Sequence, residues 1–332
     1  MRIIVAGGAG FIGSHLTAAL LADGHDVLIL DNYLTGNPRN IAALRDNPRL
    51  RVIEHDISRP LPPDLPDADQ VYHLASPASP ADFSRIPLAI LATNTYGTQN
   101  LLEWATEHDA RILFTSTSEA YGDPLVHPQV ETYFGNVNPV GPRACYDESK
   151  RLGETLVTTY VREKGIDGRL VRIFNTYGPH MNPKDGRVVP NFISQALTGR
   201  PLTVYGDGKQ TRAFCYVEDM VRALRAVMDA PCEVACGRVY NVGNPDERYI
   251  IDFARIIRDL AGAQVPIEHR PALTEDPSRR CPDITRIRTE IGWEPRVSLA
   301  DGLERTLAWF RTVVTPSDAT APQPVGGTSL GG

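Results

Sequence analysis

Residues 2–13 read RIIVAGGAGFIG, a compact apolar run that passes directly into glycines. A run with no polar face suits a strand buried on both sides of a parallel sheet. Gly7, Gly10 and Gly13 fall between that strand and an apolar pattern at helical spacing over residues 14–23, which Gly24 closes as a C-cap. Strand, glycine turn and helix in this order give a tight turn, close backbone approach to a pyrophosphate, and a helix N-terminus facing its charge. The spacing is GxxGxxG rather than the commoner GxGxxG, so the flanking elements carry the reading. Asp31 follows the second apolar run, residues 27–30. An acid there accepts hydrogen bonds from an adenosine ribose diol and repels a 2′-phosphate, so NAD is the expected cofactor rather than NADP.

Outward from this unit, further apolar runs at residues 51–54, 70–74, 111–115 and 170–174 alternate with helical patterns, notably 87–106 and 146–163. Strands alternating with helices imply crossover connections, hence an α/β fold with a Rossmann-type, doubly wound parallel sheet. Beyond residue 178 the chain turns to loops rich in Pro, Gly and Arg, mixed with helix candidates at 191–197, 217–228 and 251–261. The expected division is an NAD-binding domain over residues 1–176, to which segments near 213–243 return. A smaller C-terminal substrate domain takes 177–212 and 244–314, and 315–332 is expected to be a disordered tail.

The 332 residues carry 34 Lys and Arg against 40 Asp and Glu, a net charge of −6, and 42% are hydrophobic. This acidity disfavours nucleic acid as a partner, since phosphate backbones call for clustered positive charge. The five cysteines (Cys145, Cys215, Cys232, Cys236, Cys281) are odd in number and hold no CxxC pair, which reads as free thiols in a reducing compartment. No run of 18 apolar residues occurs, so neither a membrane span nor a membrane partner is expected, and the location expected is cytoplasmic. His15 and His73 have no Cys or carboxylate at ligand spacing, and no metal is expected.

Tyr146 and Lys150 (YDESK) lie four apart at the start of an amphipathic helix, on one face. An ammonium beside a phenol favours phenolate, so the pair suits removal of a hydroxyl proton as hydride leaves the same carbon. The Ser/Thr-rich strand end at residues 115–118 lies between this pair and the glycine loop in the sequence.

GGAGFIG, DNYLTG, HLASPASP, TSTSEAYGDP, YDESKR, RIFNTYGP, DGRVV, TVYGDGKQTRAF and DPSRRCPDI together resemble the extended short-chain dehydrogenase/reductase family, and within it the UDP-glucuronate decarboxylases, over roughly residues 1–313. The resemblance implies a resident, recycled NAD, a UDP-sugar substrate and a homodimer joined through helices at 87–106 and 146–163. It also implies catalytic roles for Tyr146, Lys150, Thr117, Ser118 and Glu119. In the family a 4,6-dehydratase has an Asp acid before the Glu, where this chain has Ser118; a 4-epimerase commonly has a small residue in place of Glu119. Loss of CO2 from a 4-keto uronate needs no leaving-group acid, because the ketone is the electron sink. The expected reaction is therefore conversion of UDP-glucuronate to UDP-xylose, with a 4-epimer or a released 4-keto pentose as alternatives. Glu119 is left with three roles: orienting a water, protonating C5, or destabilising the substrate carboxylate.

By the same resemblance, Phe11 and Ile12 join the glycines at the NAD diphosphate. Asn32, Thr35 and Gly36 follow Asp31 around the ribose, and Asp56 and Ile57 lie near adenine. Leu74, Ser76, Thr93, Thr115 and Thr176 stand at strand ends near NAD. Asn175, Arg187, Arg212 and Arg280 are the expected substrate contacts, with Arg187 also able to reach the cofactor side. Four positions depart from the usual decarboxylase pattern: Ser149 replaces a common Gly, His180 stands where Arg is frequent, Pro142 stands where other residues are usual, and Pro190 is frequent in epimerases.

Overall fold

The computed structural model describes residues 1–272 and 279–315, and within it each apolar run of the first half is a strand. These are β1 (Arg2–Ala6), β2 (Asp26–Asp31), β3 (Leu50–Glu54), β4 (Gln70–His73), β5 (Arg111–Thr117) and β6 (Gly168–Ile173). The second half adds β7 (Thr176–Tyr177), β8 (Leu202–Tyr205), β9 (Thr211–Ala213), β10 (Cys215–Tyr216), β11 (Val239–Val242), β12 (Glu247–Tyr249), β13 (Ile267–Arg270) and β14 (Arg279–Arg280). Apart from Thr315, the expected tail lies outside the described residues.

Seven strands form one parallel sheet in the order β11-β6-β5-β4-β1-β2-β3. Ile3, Ile4, Val5 and Ala6 are fully buried, as a strand covered on both faces requires. One face packs on Leu101, Leu102, Phe114 and Val157, the other on Leu16, Leu20, Val217, Met220 and Leu224. The second core runs on without a break into Phe192, Phe253 and Phe310 of the C-terminal half. Strand order reverses between β1 and β4, which leaves a crevice at their carboxyl ends.

The glycine turn fills the start of that crevice. Gly7 has φ +83°, and a Cβ there would lie 2.6 Å from the Ala75 nitrogen; a Cβ on Gly13 would collide with the Gly7 carbonyl. Neither position accepts a side chain without moving backbone. The helix Phe11–Ala22 starts directly behind the turn.

The expected single helix over 87–106 is corrected. It comprises Pro87–Ala92, a π-helical turn Thr93–Gly97, and Thr98–Glu107. At the wide turn Gly97 lies against the Ile57 side chain, a Cβ there falling 2.9 Å from it, and Thr93 comes to the crevice. Such turns recur at functional sites. The helix expected at 146–163 runs Ala144–Lys164 and ends on Gly165 with φ +71°, the left-handed cap glycine provides.

Beyond β6, β11 joins the main sheet, while β12-β9-β14 and β13-β8 form small sheets of their own. In the former, Arg212 of β9 pairs with Arg280 of β14 on one side and Arg248 of β12 on the other. Three guanidinium-bearing residues separated in sequence thus stand abreast.

Candidate active site

A cleft opens at the strand-order reversal, lined by Gly7, Gly10, Asp31, Asn32, Thr35, Gly36, Asp56, Ile57, Leu74, Ser76 and Thr93. All were expected to face the cofactor. Asp31 is nearly buried; its Oδ2 accepts from the Ala9 amide and its Oδ1 from the Tyr33 amide, both at 2.9 Å. Burial raises its pKa against those two hydrogen bonds. A carboxylate offers about four acceptor positions, so two stay available for a diol. A Cβ at Gly36 would stand 2.7 Å from Asp31 Oδ1, so glycine keeps this corner open. His55, absent from the sequence reading, also lines the cleft, and its Nε2 is buried with no partner. The glycine cradle, the orphaned imidazole nitrogen and the acid at the β2 end fit a dinucleotide.

Other expected cofactor residues lie beside the cleft rather than on its wall. Phe11 and Ile12 open the helix behind the turn with Gly13, and Phe11 meets His15 edge-on at 6.0 Å. The Thr115 hydroxyl donates to the His73 carbonyl at 2.8 Å and that of Thr176 to the Phe174 carbonyl at 2.9 Å.

Tyr146 and Lys150 occupy the first two turns of the helix Ala144–Lys164, both buried. Tyr146 stacks on Phe83 with ring centroids 5.0 Å apart. Lys150 Nζ donates to the Thr115 carbonyl at 2.8 Å and sits 6.0 Å from the Tyr146 ring centre. Burial brings Lys150 down to about 7, with Glu154 opposing. The expectation that this ammonium lowers the phenol is corrected: burial pushes Tyr146 up to about 12, although a Thr117 hydrogen bond and the Arg187 charge pull downward. Thr117, the last residue of β5, also accepts the Glu119 amide at 3.2 Å. Buried Ser118 opens the tight turn Ser118–Tyr121 that follows.

Glu119 sits in a clamp. Arg143 donates to its Oε2 at 2.5 Å, and Arg280 donates to both carboxylate oxygens. Burial alone would raise this carboxyl; the charges and hydrogen bonds of Arg280 and Arg143 prevail and hold it down to about 2. A carboxylate so ionised is a hydrogen-bond acceptor rather than a donor. Arg280, an expected substrate contact and only 4% exposed, is engaged by Glu119, while its Nε keeps no partner. Asp147, next to Tyr146, is buried with Oδ2 3.9 Å from Arg143 Nε and Oδ1 unpartnered. Neither Arg143 nor Asp147 was singled out from the sequence, although the two bracket Tyr146 at helical i,i+4 spacing.

The remaining substrate candidates line up around this clamp. Arg187 is fixed by Asp185, to which its Nε and NH2 donate at 2.5 and 2.8 Å, and its charge acts on Tyr146. Arg212 is 7% exposed and donates to the Thr211 carbonyl at 2.9 Å, with Arg280 as its strand partner. The Asn175 amide nitrogen is buried without a partner, as an open donor for a ligand would be.

Two of the departures from the family pattern, Ser149 and His180, are engaged by neighbouring side chains. Ser149 accepts from Asn94 at 3.0 Å and donates to the Cys145 carbonyl at 2.6 Å, tying the catalytic helix to the π-helical turn. His180 stacks on His15 at 4.6 Å and shares a hydrogen bond with Ser14; burial and the neighbouring His15 bring it down to about 4, so it packs as a neutral ring. His73 is fully buried and bonded to Thr98 at 3.0 Å. Elsewhere, Asp167, Cys232 and Cys236 place ligand atoms within 4.8 Å of one another. That carboxylate already accepts from Arg111 and Arg169, whose charges oppose a cation. A larger hollow of about 860 Å³, bordered by Met1, Asp69 and Lys164, opens at the other end of the strands and holds none of the reacting groups.

Residues 3–243 match the NAD dependent epimerase/dehydratase family. UDP-glucuronic acid decarboxylase 1 of Xenopus tropicalis is 50% identical over 310 residues, 93% of this chain and 72% of that protein. UDP-glucuronic acid decarboxylase 5 of Arabidopsis thaliana is 49% identical over 304 residues, 91% of this chain and 87% of that protein. Among solved structures, the UDP-glucuronic acid 4-epimerase of Bacillus cereus, in complex with UDP-glucuronic acid and NAD, superposes with a TM-score of 0.84 at 31% identity, covering 94% of this chain and 100% of that one. The dTDP-glucose 4,6-dehydratase of Streptomyces venezuelae, solved with NAD, gives a TM-score of 0.85 at 31% identity over 94% of this chain and 97% of that one.

Proposed function

The chain belongs to the NAD-dependent epimerase/dehydratase family, and on that premise we propose that it is a UDP-glucuronate decarboxylase that forms UDP-xylose. NAD, when bound, accepts hydride from sugar C4 and later returns it. In its phenolate form, its own proton having first passed to solvent, Tyr146 takes the C4 hydroxyl proton, with Thr117 aligning it and Lys150 beside the ring. Oxidation makes the C5 carboxylate β to a ketone, so it leaves as CO2 while the electron pair moves to the C4 oxygen, which Tyr146 steadies. C5 then takes up a proton and the ketone is reduced again, so the cycle consumes one proton and no external reductant.

The observation that carries this reading is the clamp on Glu119. It keeps an ionised carboxylate and two guanidinium groups next to the Tyr146 phenol, with Ser118 where a dehydratase would need an acid. That arrangement suits a substrate with a carboxylate to hold and none of its hydroxyls to expel. Arg187 and Arg212 hold the diphosphate and sugar from a smaller domain made of residues 177–212 and 244–314, and Asn175 meets them from the end of the NAD-binding domain, residues 1–176. Incubation with UDP-glucuronate should release CO2 and a UDP-pentose in equal amounts; an epimer without CO2 would point to the 4-epimerase.

Asp31 sets cofactor choice. Replacing it by Ser removes charge-assisted hydrogen bonds worth about 1.5–3 kcal/mol, so the NAD dissociation constant rises roughly tenfold to a hundredfold and the bias against NADP shrinks. Unchanged NAD affinity in titration calorimetry would contradict the assignment.

A homodimer is part of the proposal. Leu88 (78% exposed), Tyr96 (65%) and Leu152 (46%) leave an apolar face on the packed helices Pro87–Ala92 and Ala144–Lys164 and the π-helical turn. Two copies that bury this face should give twice the chain mass in light scattering, and Leu88→Arg should shift that to the monomer; wild-type protein at the single-chain mass would contradict it. Among the described residues no helix is long and apolar enough to cross a membrane. A cytoplasmic location is supported by the five free thiols.

A further inference from the structure

Two carboxyl groups, Glu119 and Asp147, share the Arg143 guanidinium beside the reacting phenol, on unequal terms. Glu119 takes a direct hydrogen bond from Arg143 and both oxygens are met by Arg280. Asp147 is left with Arg143 Nε at 3.9 Å, beyond hydrogen-bond reach, and an Oδ1 that nothing meets, in a side chain only 7% exposed. A buried carboxylate without hydrogen bonds is disfavoured against its neutral acid. We infer that Asp147 is a positioning residue whose neutral form leaves the Glu119–Arg143–Arg280 cluster one unit more positive than its ionised form does, and that this difference favours entry of the carboxylate of the uronate into the site. The inference rests on the decarboxylase reading, which supplies that carboxylate.

The charge count is direct. Ionised Asp147 adds a full negative charge beside two arginines and one glutamate, and that charge repels an incoming carboxylate; neutral Asp147 adds none. The groups that face Asp147 from each packed element agree with a shared titration. Burial and the Glu119 charge push it up to about 7, against Arg143 and Arg280, with Glu148 of the same helix adding a smaller push. Its neighbours Cys145 and Tyr146 both stay protonated in that range, being raised by burial. Asp147 is therefore neutral below about pH 7 and ionises above it, so affinity for a carboxylated sugar falls as pH rises.

The test uses the NAD-loaded enzyme and two ligands that differ only in the carboxylate: KM for UDP-glucuronate, and Ki for UDP-glucose as a competitive inhibitor. If only the form with neutral Asp147 draws in the uronate, KM should rise about tenfold between about pH 6 and about pH 8 while Ki stays level, since one titrating group gives at most tenfold per unit. The Ki arm subtracts the titration of Lys150, which would act on both ligands. Asp147→Asn should hold KM at the wild-type low-pH value throughout, and Asp147→Glu should restore the rise. A wild-type KM that is flat, or that rises in step with Ki, would overturn the inference without any variant; so would an Asp147→Asn enzyme that keeps the rise. A wild-type protein that releases no CO2 would overturn the decarboxylase reading itself, a distinct failure.

Discussion

Tyr146→Phe should lower turnover of UDP-glucuronate by about 10²–10⁴-fold, the contribution expected of a positioned proton-transfer group. The change removes one oxygen and leaves the ring, so the stack on Phe83 at 5.0 Å survives and the fold is undisturbed. The phenol is pushed up to about 12 by burial, so it is neutral in the free chain at working pH. It acts as a base only in its phenolate form, and that form is lost with the oxygen. UDP-glucuronate should still bind to within a few-fold of wild type, because the sugar-holding arginines are untouched. A variant that turns over at the wild-type rate would displace Tyr146 from the proposed chemistry.

Glu119→Gln should cost both activity and stability. Removing one partner of a buried ionic cluster strands the others; for Arg280, 4% exposed, and Arg143 the loss is expected to reach about 3–5 kcal/mol, visible as a lower unfolding midpoint. Burial opposes ionisation of Glu119, yet Arg280 and Arg143 hold its carboxyl down to about 2. With a folded value below the unfolded one, its pairing stabilises the protein fully above the ordinary carboxylate range and is lost as pH falls towards about 2. The Gln variant should lack that acid-side slope. Removing Arg143 as well, as Glu119→Gln with Arg143→Met, should recover part of the stability and none of the CO2 release. CO2 release at the wild-type rate in Glu119→Gln would take Glu119 out of the reaction.

What was legible in the sequence is what neighbouring residues specify among themselves. The run before Gly7, the helix that follows the glycine turn and the acid at the end of β2 all fall within residues 2–31, and the structure has all three where the pattern put them. The π-helical turn at Thr93–Gly97 was not legible, because its periodicity passes for ordinary helix and only its packing on Ile57 sets it apart. The clamp was not legible either. Glu119 reaches Arg143 across 24 residues and Arg280 across 161, through a small sheet whose strands are two or three residues long and carry no periodic signal. Arg280 was expected at the site through the family resemblance, but its partner Glu119 shows only once β14 is laid beside β9, and Arg143 reads in the sequence as an ordinary surface charge. Asp147 hid for the opposite reason: a helical Asp four residues from an Arg is the commonest of exposed pairs, and only burial gives this one a different character.

The central claim is that one active site oxidises C4, releases CO2 and reduces C4 again with the same hydride. Its most direct test is UDP-glucuronate carrying deuterium at C4, incubated with the enzyme and no added reductant, with the product read by NMR and the gas by mass spectrometry. The account predicts one CO2 per UDP-xylose, deuterium retained at C4 and solvent hydrogen at C5. A six-carbon C4 epimer without CO2, or a pentose that has lost its deuterium, would contradict it.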